Sequence, residues 1–329
     1  MVGLACLAVR STLGVIVFPA GDALAGTVTG TRGEVTFSGG AGEANAVVFA
    51  FEGPDRIRIS DSGAPLTTLH PDCVAAGPDL ICEWPGAERM EVIVELNDGN
   101  DSVNLPSWVN VNVVEGGPGN DNIVADVFLR GGPGDDRMEA IRGAFMEGGG
   151  GDDVMLGGPG WEIFEGGPGN DTLRGFGGVD DLRGDGGDDI LVGGLGFDIT
   201  WARGRNLRLT PTALVGEGTD TLSSIQFVYL DGGGANNVIN ARTFDGDTRI
   251  NAFGGDDVIV GGLGRDLILA GPGNDRVAGG PGRDTLWGSA GADLLLSRDG
   301  LRDGVFAGRG QDRARLDRID RSANIEDFL

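Results

Sequence analysis

From Gly148 to Trp201 the chain reads as six consecutive nine-residue blocks: GGGGDDVML, GGPGWEIFE, GGPGNDTLR, GFGGVDDLR, GDGGDDILV and GGLGFDITW. Five more run from Ala252 to Leu296: AFGGDDVIV, GGLGRDLIL, AGPGNDRVA, GGPGRDTLW and GSAGADLLL. Looser copies begin at Gly116, Gly131 and Gly232, and a trace stands at Asp98-Gly99-Asn100-Asp101. Two degenerate copies beyond the second array put Asp303 and Asp312 in the aspartate place. Tandem periodicity of this kind decides architecture before local propensity does, because each repeat can bury its apolar face only against its neighbours.

The composition of one block gives its shape. Glycine at positions one, two and four permits positive φ and close backbone approach, so this half is a turn. Position eight is apolar in Met155, Phe164, Leu173, Leu182 and Leu191, and again in Ile259, Ile268, Val277, Leu286 and Leu295. A single apolar residue between outward neighbours is a three-residue strand that faces inward once. A turn and a short strand every nine residues coil the chain into a two-sided parallel roll, with strands eighteen residues apart lying ~4.8 Å from each other. The expected fold is therefore all-β, a parallel β-roll.

That geometry stacks the position-six aspartates. At ~5 Å and an effective dielectric near 20, each neighbouring pair repels by roughly 3 kcal/mol. The glycine-rich turns also lose much conformational entropy on ordering. A one-residue apolar stripe offsets neither cost, whereas a hard divalent cation between turns, taking carboxylate and free carbonyl oxygens, offsets both. An all-oxygen cage in a flexible loop suits Ca²⁺ better than Mg²⁺.

These blocks resemble the RTX, or hemolysin-type, calcium-binding repeat of secreted bacterial proteins, whose consensus is GGxGxDxUx. The resemblance implies Ca²⁺ between a turn and the turn after next, held by the position-six aspartate and turn carbonyls of both. Carried onto this chain, the pairs are Asp153–Asp171, Asp171–Asp189, Asp180–Asp198, Asp257–Asp275, Asp275–Asp293 and Asp266–Asp284, or roughly six ions. The implied turn glycines are Gly148, Gly151, Gly166, Gly169, Gly184 and Gly187 in the first array. In the second they are Gly261, Gly264, Gly273, Gly279 and Gly282. Asp121, Asp136 and Glu162 are weaker candidates, Glu162 because it replaces aspartate. Asn236 and Asn237 remove charge from the copy at Gly232, where weak binding or none is expected.

Outside the arrays, residues 1–25 have the layout of a secretory leader: Arg10, the apolar run Leu13 to Phe18, and an A-x-A site at Ala23-Leu24-Ala25. Its removal takes Cys6 and leaves Cys73 and Cys82, which flank a Gly77-Pro78-Asp79 turn and are expected to close a disulfide hairpin. The organisation expected is a β cap over 26–95, a first array over 96–201, an insertion over 202–231, a second array over 232–315 and a closing segment over 316–329. Asp220 falls in that insertion, outside the expected turns.

Charge and residue usage narrow the function. All 25 cationic residues are arginine, so a P-loop, a Schiff-base lysine and a Ser–Lys dyad are excluded. His70 is the single histidine, which excludes an HExxH zinc site. A net charge of −25 is expected to repel nucleic acid phosphates and anionic membrane and to attract cations. No run of 18 apolar residues suits a membrane-spanning helix. No G-x-S-x-G elbow occurs. The reading is a secreted, non-enzymatic calcium-binding protein with a structural or surface-interaction role and an unspecified protein or cell-surface partner. The alternative is a remnant or accessory module of a secreted hydrolase or toxin.

Overall fold

The computed structural model describes residues 27–31, 34–40, 44–53, 56–61, 66–68, 72–83, 91–105, 111–126, 128–216 and 218–329. The expected leader and His70 lie outside the described residues. Two compact units divide between Gly149 and Gly150. Among the described residues there are strands and turns but no helix.

In the second unit the chain winds as a parallel β-solenoid whose coils alternate between two sheets. Strands Ile163–Pro168, Asp181–Gly186, Ile199–Arg203, Phe227–Asp231 and Asp247–Asn251 lie side by side in one sheet, each parallel to the next. Asp266–Pro272, Thr285–Ala290, Gly304–Arg309 and Arg321–Ala323 continue it. The other sheet takes the intervening strands, with Met155 beside Leu173 and Leu173 beside Leu191. Residues eighteen apart are thus lateral neighbours, as the period requires. Every position-eight side chain expected to face inward, from Met155 through Leu295, is fully buried. Thr200 occupies the same position and satisfies its hydroxyl by donating to the Leu182 carbonyl at 2.6 Å.

Within the stretch 202–231, the strands Thr219–Ser223 and Phe227–Asp231 pair in parallel with Ile190–Gly196 and Ile199–Arg203. The roll continues through them. The true excursion is the antiparallel hairpin of Asn206–Thr210 and Ala213–Val215. Even this hairpin joins the sheet, since Ala213–Val215 pairs with Thr219–Ser223 and Asn206–Thr210 pairs with Val238–Asn240. Leu207, Leu209 and Leu214 are buried within it.

The first unit opens with antiparallel pairs and becomes parallel. Ala46–Gly53 pairs antiparallel with Arg56–Asp61 and parallel with Ser102–Asn104, which starts the coil Ser102–Asn104, Asn122–Val124, Arg137–Glu139. Cys73 lies directly opposite Cys82 in the hairpin Cys73–Ala76/Asp79–Glu83, and their sulfurs are bonded. Gly77 turns this hairpin with φ +76.

Candidate metal centre

The block Gly166 to Arg174 shows how a turn is built. Gly169 has φ +152, and a Cβ there would stand 1.8 Å from the Gly151 carbonyl oxygen of the neighbouring coil, so only glycine fits. At Gly166 a Cβ would fall 2.4 Å from Asp171 Oδ2 and 2.7 Å from the Gly184 carbonyl oxygen. That space is a small cradle lined by carboxylate and carbonyl oxygens. The same arrangement recurs at Gly184 with Asp189, at Gly261 with Asp266 and the Gly279 carbonyl, and at Gly279 with Asp284. In the first unit Gly131 holds Asp136 Oδ2 and the Gly148 carbonyl in the same way. Gly187, Gly264, Gly273 and Gly282 behave as Gly169 does, each packed on a main-chain carbonyl one coil away.

The aspartates form a ladder. The main-chain N–H of Asp153 donates to Asp171 Oδ1 at 2.8 Å, and that of Asp171 to Asp189 Oδ1 at 2.8 Å. The same bond joins Asp180 to Asp198, Asp257 to Asp275, Asp275 to Asp293 and Asp266 to Asp284. All six expected pairs are therefore brought together. Each bond uses Oδ1. The second oxygen, Oδ2, is buried without a hydrogen-bond partner in Asp171, Asp189, Asp257, Asp275, Asp284 and Asp293.

Buried anionic oxygens without donors are costly and demand a proton or a cation. Burial, reinforced by the neighbouring carboxylates Asp189, Asp152 and Asp185, pushes Asp171 up to about 7. Asp275 and Asp284 are raised to about 7 and Asp293 to about 6, again chiefly by burial. Among the described residues no three His, Cys, Asp or Glu side chains converge. Each cradle offers carboxylate oxygens supplemented by main-chain carbonyls, a donor set that suits a hard cation and no soft one.

The weaker candidates enter the same ladders. Glu162 is fully buried, and its N–H donates to Asp180 Oδ1 at 2.9 Å. Asp101 donates to Asp121 and Asp121 to Asp136 in the first unit, where burial raises Asp121 to about 7 and Asp136 to about 6.

Asn237 behaves differently. Its Nδ2 stands within hydrogen-bond distance of the Gly233, Ala235 and Ala252 carbonyls and of Asp257 Oδ1, four acceptors for two hydrogens, and its Oδ1 is buried without a partner. An uncharged group with donors of its own thus stands where the other coils place a carboxylate. Asp266 is also closed: Thr248 donates to Oδ1 and the Gly262 N–H to Oδ2 at 2.6 Å.

Three ladder positions escape the sequence reading. Asp220 lies in the ladder rather than outside the turns: the Asp189 N–H donates to its Oδ1 at 3.3 Å, and burial raises it to about 7. Its signal was Gly216-Glu217-Gly218-Thr219-Asp220-Thr221-Leu222, a repeat missing only its first glycine. Gln226 accepts from the Asp198 N–H at 2.7 Å, and Thr248 donates its N–H to Asp266 Oδ1. Neither resembles an aspartate, and no local pattern marks them.

A parallel β-solenoid whose glycine turns stack buried aspartates over carbonyl cradles defines a class of cation-binding roll. The family model for the RTX calcium-binding nonapeptide repeat (4 copies) matches residues 111–140, 145–160, 156–191, 165–199 and 269–300. Over those stretches the chain carries RTX-type calcium-binding nonapeptide repeats. A search of curated proteins gave no match.

Proposed function

We propose that the chain is a secreted protein whose roll folds on binding several Ca²⁺ ions, about six, and that it serves a structural or surface-interaction role. The observation that carries this reading is the row of ladder carboxylates, Asp171, Asp189, Asp257, Asp275, Asp284 and Asp293, each stacked on the next coil with an Oδ2 that is buried and has no donor. The residues that hold the ions are Asp153, Asp171, Asp180, Asp189 and Asp198 in the first array, and Asp257, Asp275, Asp284 and Asp293 in the second, with Asp266 the weakest ligand because both its oxygens already accept hydrogen bonds. Main-chain carbonyls of the turn glycines complete each site. Bound Ca²⁺ neutralises the stacked carboxylates and links adjacent coils. One site with its ion at about 100 times Kd adds about 2.7 kcal/mol by mass action. Several such sites together match the whole stability of an ordinary domain.

Extracellular calcium modules bind at about 10⁻⁴–10⁻³ M. On that scale the roll stays unfolded where free Ca²⁺ is scarce and locks where it is plentiful, which fits a chain that crosses a membrane unfolded. Among the described residues no helix is long and apolar enough to cross a membrane. The test is far-UV circular dichroism of EDTA-treated protein during calcium titration, with Mg²⁺ as control. Strand signal is expected to rise cooperatively with Ca²⁺ and not with equal Mg²⁺. A folded spectrum in EDTA that calcium leaves unchanged would overturn the reading.

A further inference from the structure

The two turn edges of the second unit carry the same buried ladder but opposite surfaces. On one edge the residue before each ladder position is Asp152, Asn170, Asp188, Thr219, Asn236, Asp256, Asn274 and Ala292: acidic or polar, with no cation and no large apolar group. On the other edge it is Trp161, Val179, Phe197, Ile225, Asp247, Arg265, Arg283 and Arg302. That this is one continuous edge follows from its own ladder, Glu162 to Asp180 to Asp198 to Gln226 and Thr248 to Asp266 to Asp284 to Asp303, the two runs joined where the Asp247 N–H donates to the Gln226 carbonyl at 3.0 Å.

The first half of this edge is apolar. Trp161 is 65% exposed and Val179 and Phe197 about half exposed, stacked at one-coil spacing, with Leu195 beside them 81% exposed. Contiguous patches of this kind on a soluble surface mark interaction sites. The second half is cationic. Arg265, Arg283 and Arg302 are exposed on coils ~4.8 Å apart, and none enters an ion pair among the described residues. The acids nearby are engaged by main chain instead: Asp247 accepts from the Arg265 N–H and Asp299 from the Gly282 N–H.

From this juxtaposition we infer that the edge bearing Trp161, Phe197 and Leu195 together with Arg265, Arg283 and Arg302 docks the protein on an anionic lipid bilayer. Aromatic and leucine side chains seat in the boundary between headgroups and acyl chains, and arginines meet the lipid phosphates, each worth about 1 kcal/mol near the surface. A second copy meets this edge poorly: packed parallel it sets arginine against arginine, and packed antiparallel it buries the arginines against the apolar half with no counter-charge. A polysaccharide or a nucleic acid leaves the apolar half without a function. The chain's net charge of −25 opposes approach to any anionic surface, and each bound Ca²⁺ removes two units of that opposition. The inference rests on the calcium reading for the folding of the coils; the edge itself is tested separately.

The experiment is flotation of the full chain with phosphatidylcholine vesicles containing or lacking 30% phosphatidylglycerol, each in calcium and in EDTA. Circular dichroism of the same samples reports folding. Wild-type protein folded in calcium is expected to float with the anionic vesicles. The Trp161→Ser/Leu195→Ser/Phe197→Ser variant and the Arg265→Gln/Arg283→Gln/Arg302→Gln variant are each expected to bind at least about tenfold more weakly. Both keep the calcium-induced strand signal, because all six side chains are exposed. Asp152→Ser/Asp188→Ser, on the opposite edge, should not weaken binding. Folded wild-type protein that ignores anionic vesicles, or edge variants that bind as well as wild type, would overturn the inference. A strand signal already full in EDTA would sink the calcium reading instead, and flotation of the same folded variants in EDTA would still decide the edge.

Discussion

The rung at Asn237 and the rung at Asp275 make the same main-chain bond and are completed in different ways. In both, a main-chain N–H reaches the carboxylate of the next coil, at 2.7 Å from Asn237 to Asp257 and at 2.9 Å from Asp275 to Asp293. At Asn237 the side-chain amide then supplies the hydrogens that the turn carbonyls need. At Asp275 there is only a second oxygen, buried and without a donor. The amide rung carries no charge and brings its own donor, though its Oδ1 is also buried without a partner. The carboxylate rung demands a cation or a proton, so losing the charge and binding a metal ion are alternative answers to the same electrostatic problem. Five substitutions or conditions sharpen or break this comparison.

The largest effect is expected from Asp171→Ala. Asp171 lies between Asp153 and Asp189 in the ladder, so it serves two proposed sites. Calorimetry should show the loss of up to two ions, and at calcium about 100 times Kd a destabilisation of roughly 5 kcal/mol. An unchanged stoichiometry would refute the assignment. Asp220→Ala should lose ions too, now that Asp220 stands in the ladder. Next comes Asn237→Asp, which removes the internal donor and should add one ion to the calorimetric count. If the count stays constant, the amide is not standing in for a cation.

A graded effect is expected from pH. The ladder carboxylates Asp171, Asp275 and Asp284 are raised from 3.8 to about 7 by burial. A raised native value means that stability of the metal-free roll is fully present below about 4 and is lost as pH climbs through about 7. Calcium must displace those same protons, so its affinity moves the other way. Lowering pH from 8 to 5 should weaken calcium binding while increasing the strand signal seen in EDTA. Equal calcium affinity at both values would contradict the buried-carboxylate account. The smallest effect on calcium is expected from Cys73→Ala/Cys82→Ala. The disulfide closes a hairpin in the first unit, so its loss should cost about 2–3 kcal/mol there and leave the calcium count unchanged.

Much of this was legible in the sequence because the arrays keep an unbroken period. Gapless blocks fix which residues become lateral neighbours, and Met155, Leu173 and Leu191 stack as the arithmetic requires. Legibility failed where coil length changed. Between Asp189 and Asp220 the spacing grows from 18 residues to 31, because the hairpin Asn206–Thr210/Ala213–Val215 is inserted into the coil. A fixed-period reading loses register there and calls the whole stretch an insertion. The pairing of Thr219–Ser223 with Ile190–Gly196 skips the hairpin, and its one local sign, the near-repeat from Gly216 to Leu222, falls outside the nine-residue register. Gln226 and Thr248 were missed for a related reason: the ladder needs a hydrogen-bonding group at that place, and more than one residue type supplies it.

The outer residues of the acidic edge hold a further consequence. Asn170 donates its N–H and its amide to Asp152 Oδ1, and Asp188 donates its N–H to Asn170 Oδ1. Asn274 repeats the pattern on Asp256, and Ala292 then donates to Asn274. Carboxylate and amide alternate, so no two charges adjoin and this column closes without metal. Copying one coil would set two carboxylates, or two amides, side by side and break that parity. Copying two coils would preserve it. Along this edge, then, the heritable unit by which such a roll can lengthen without electrostatic penalty is the pair of coils from Asp152 to Asp188, twice the structural repeat and four times the sequence repeat.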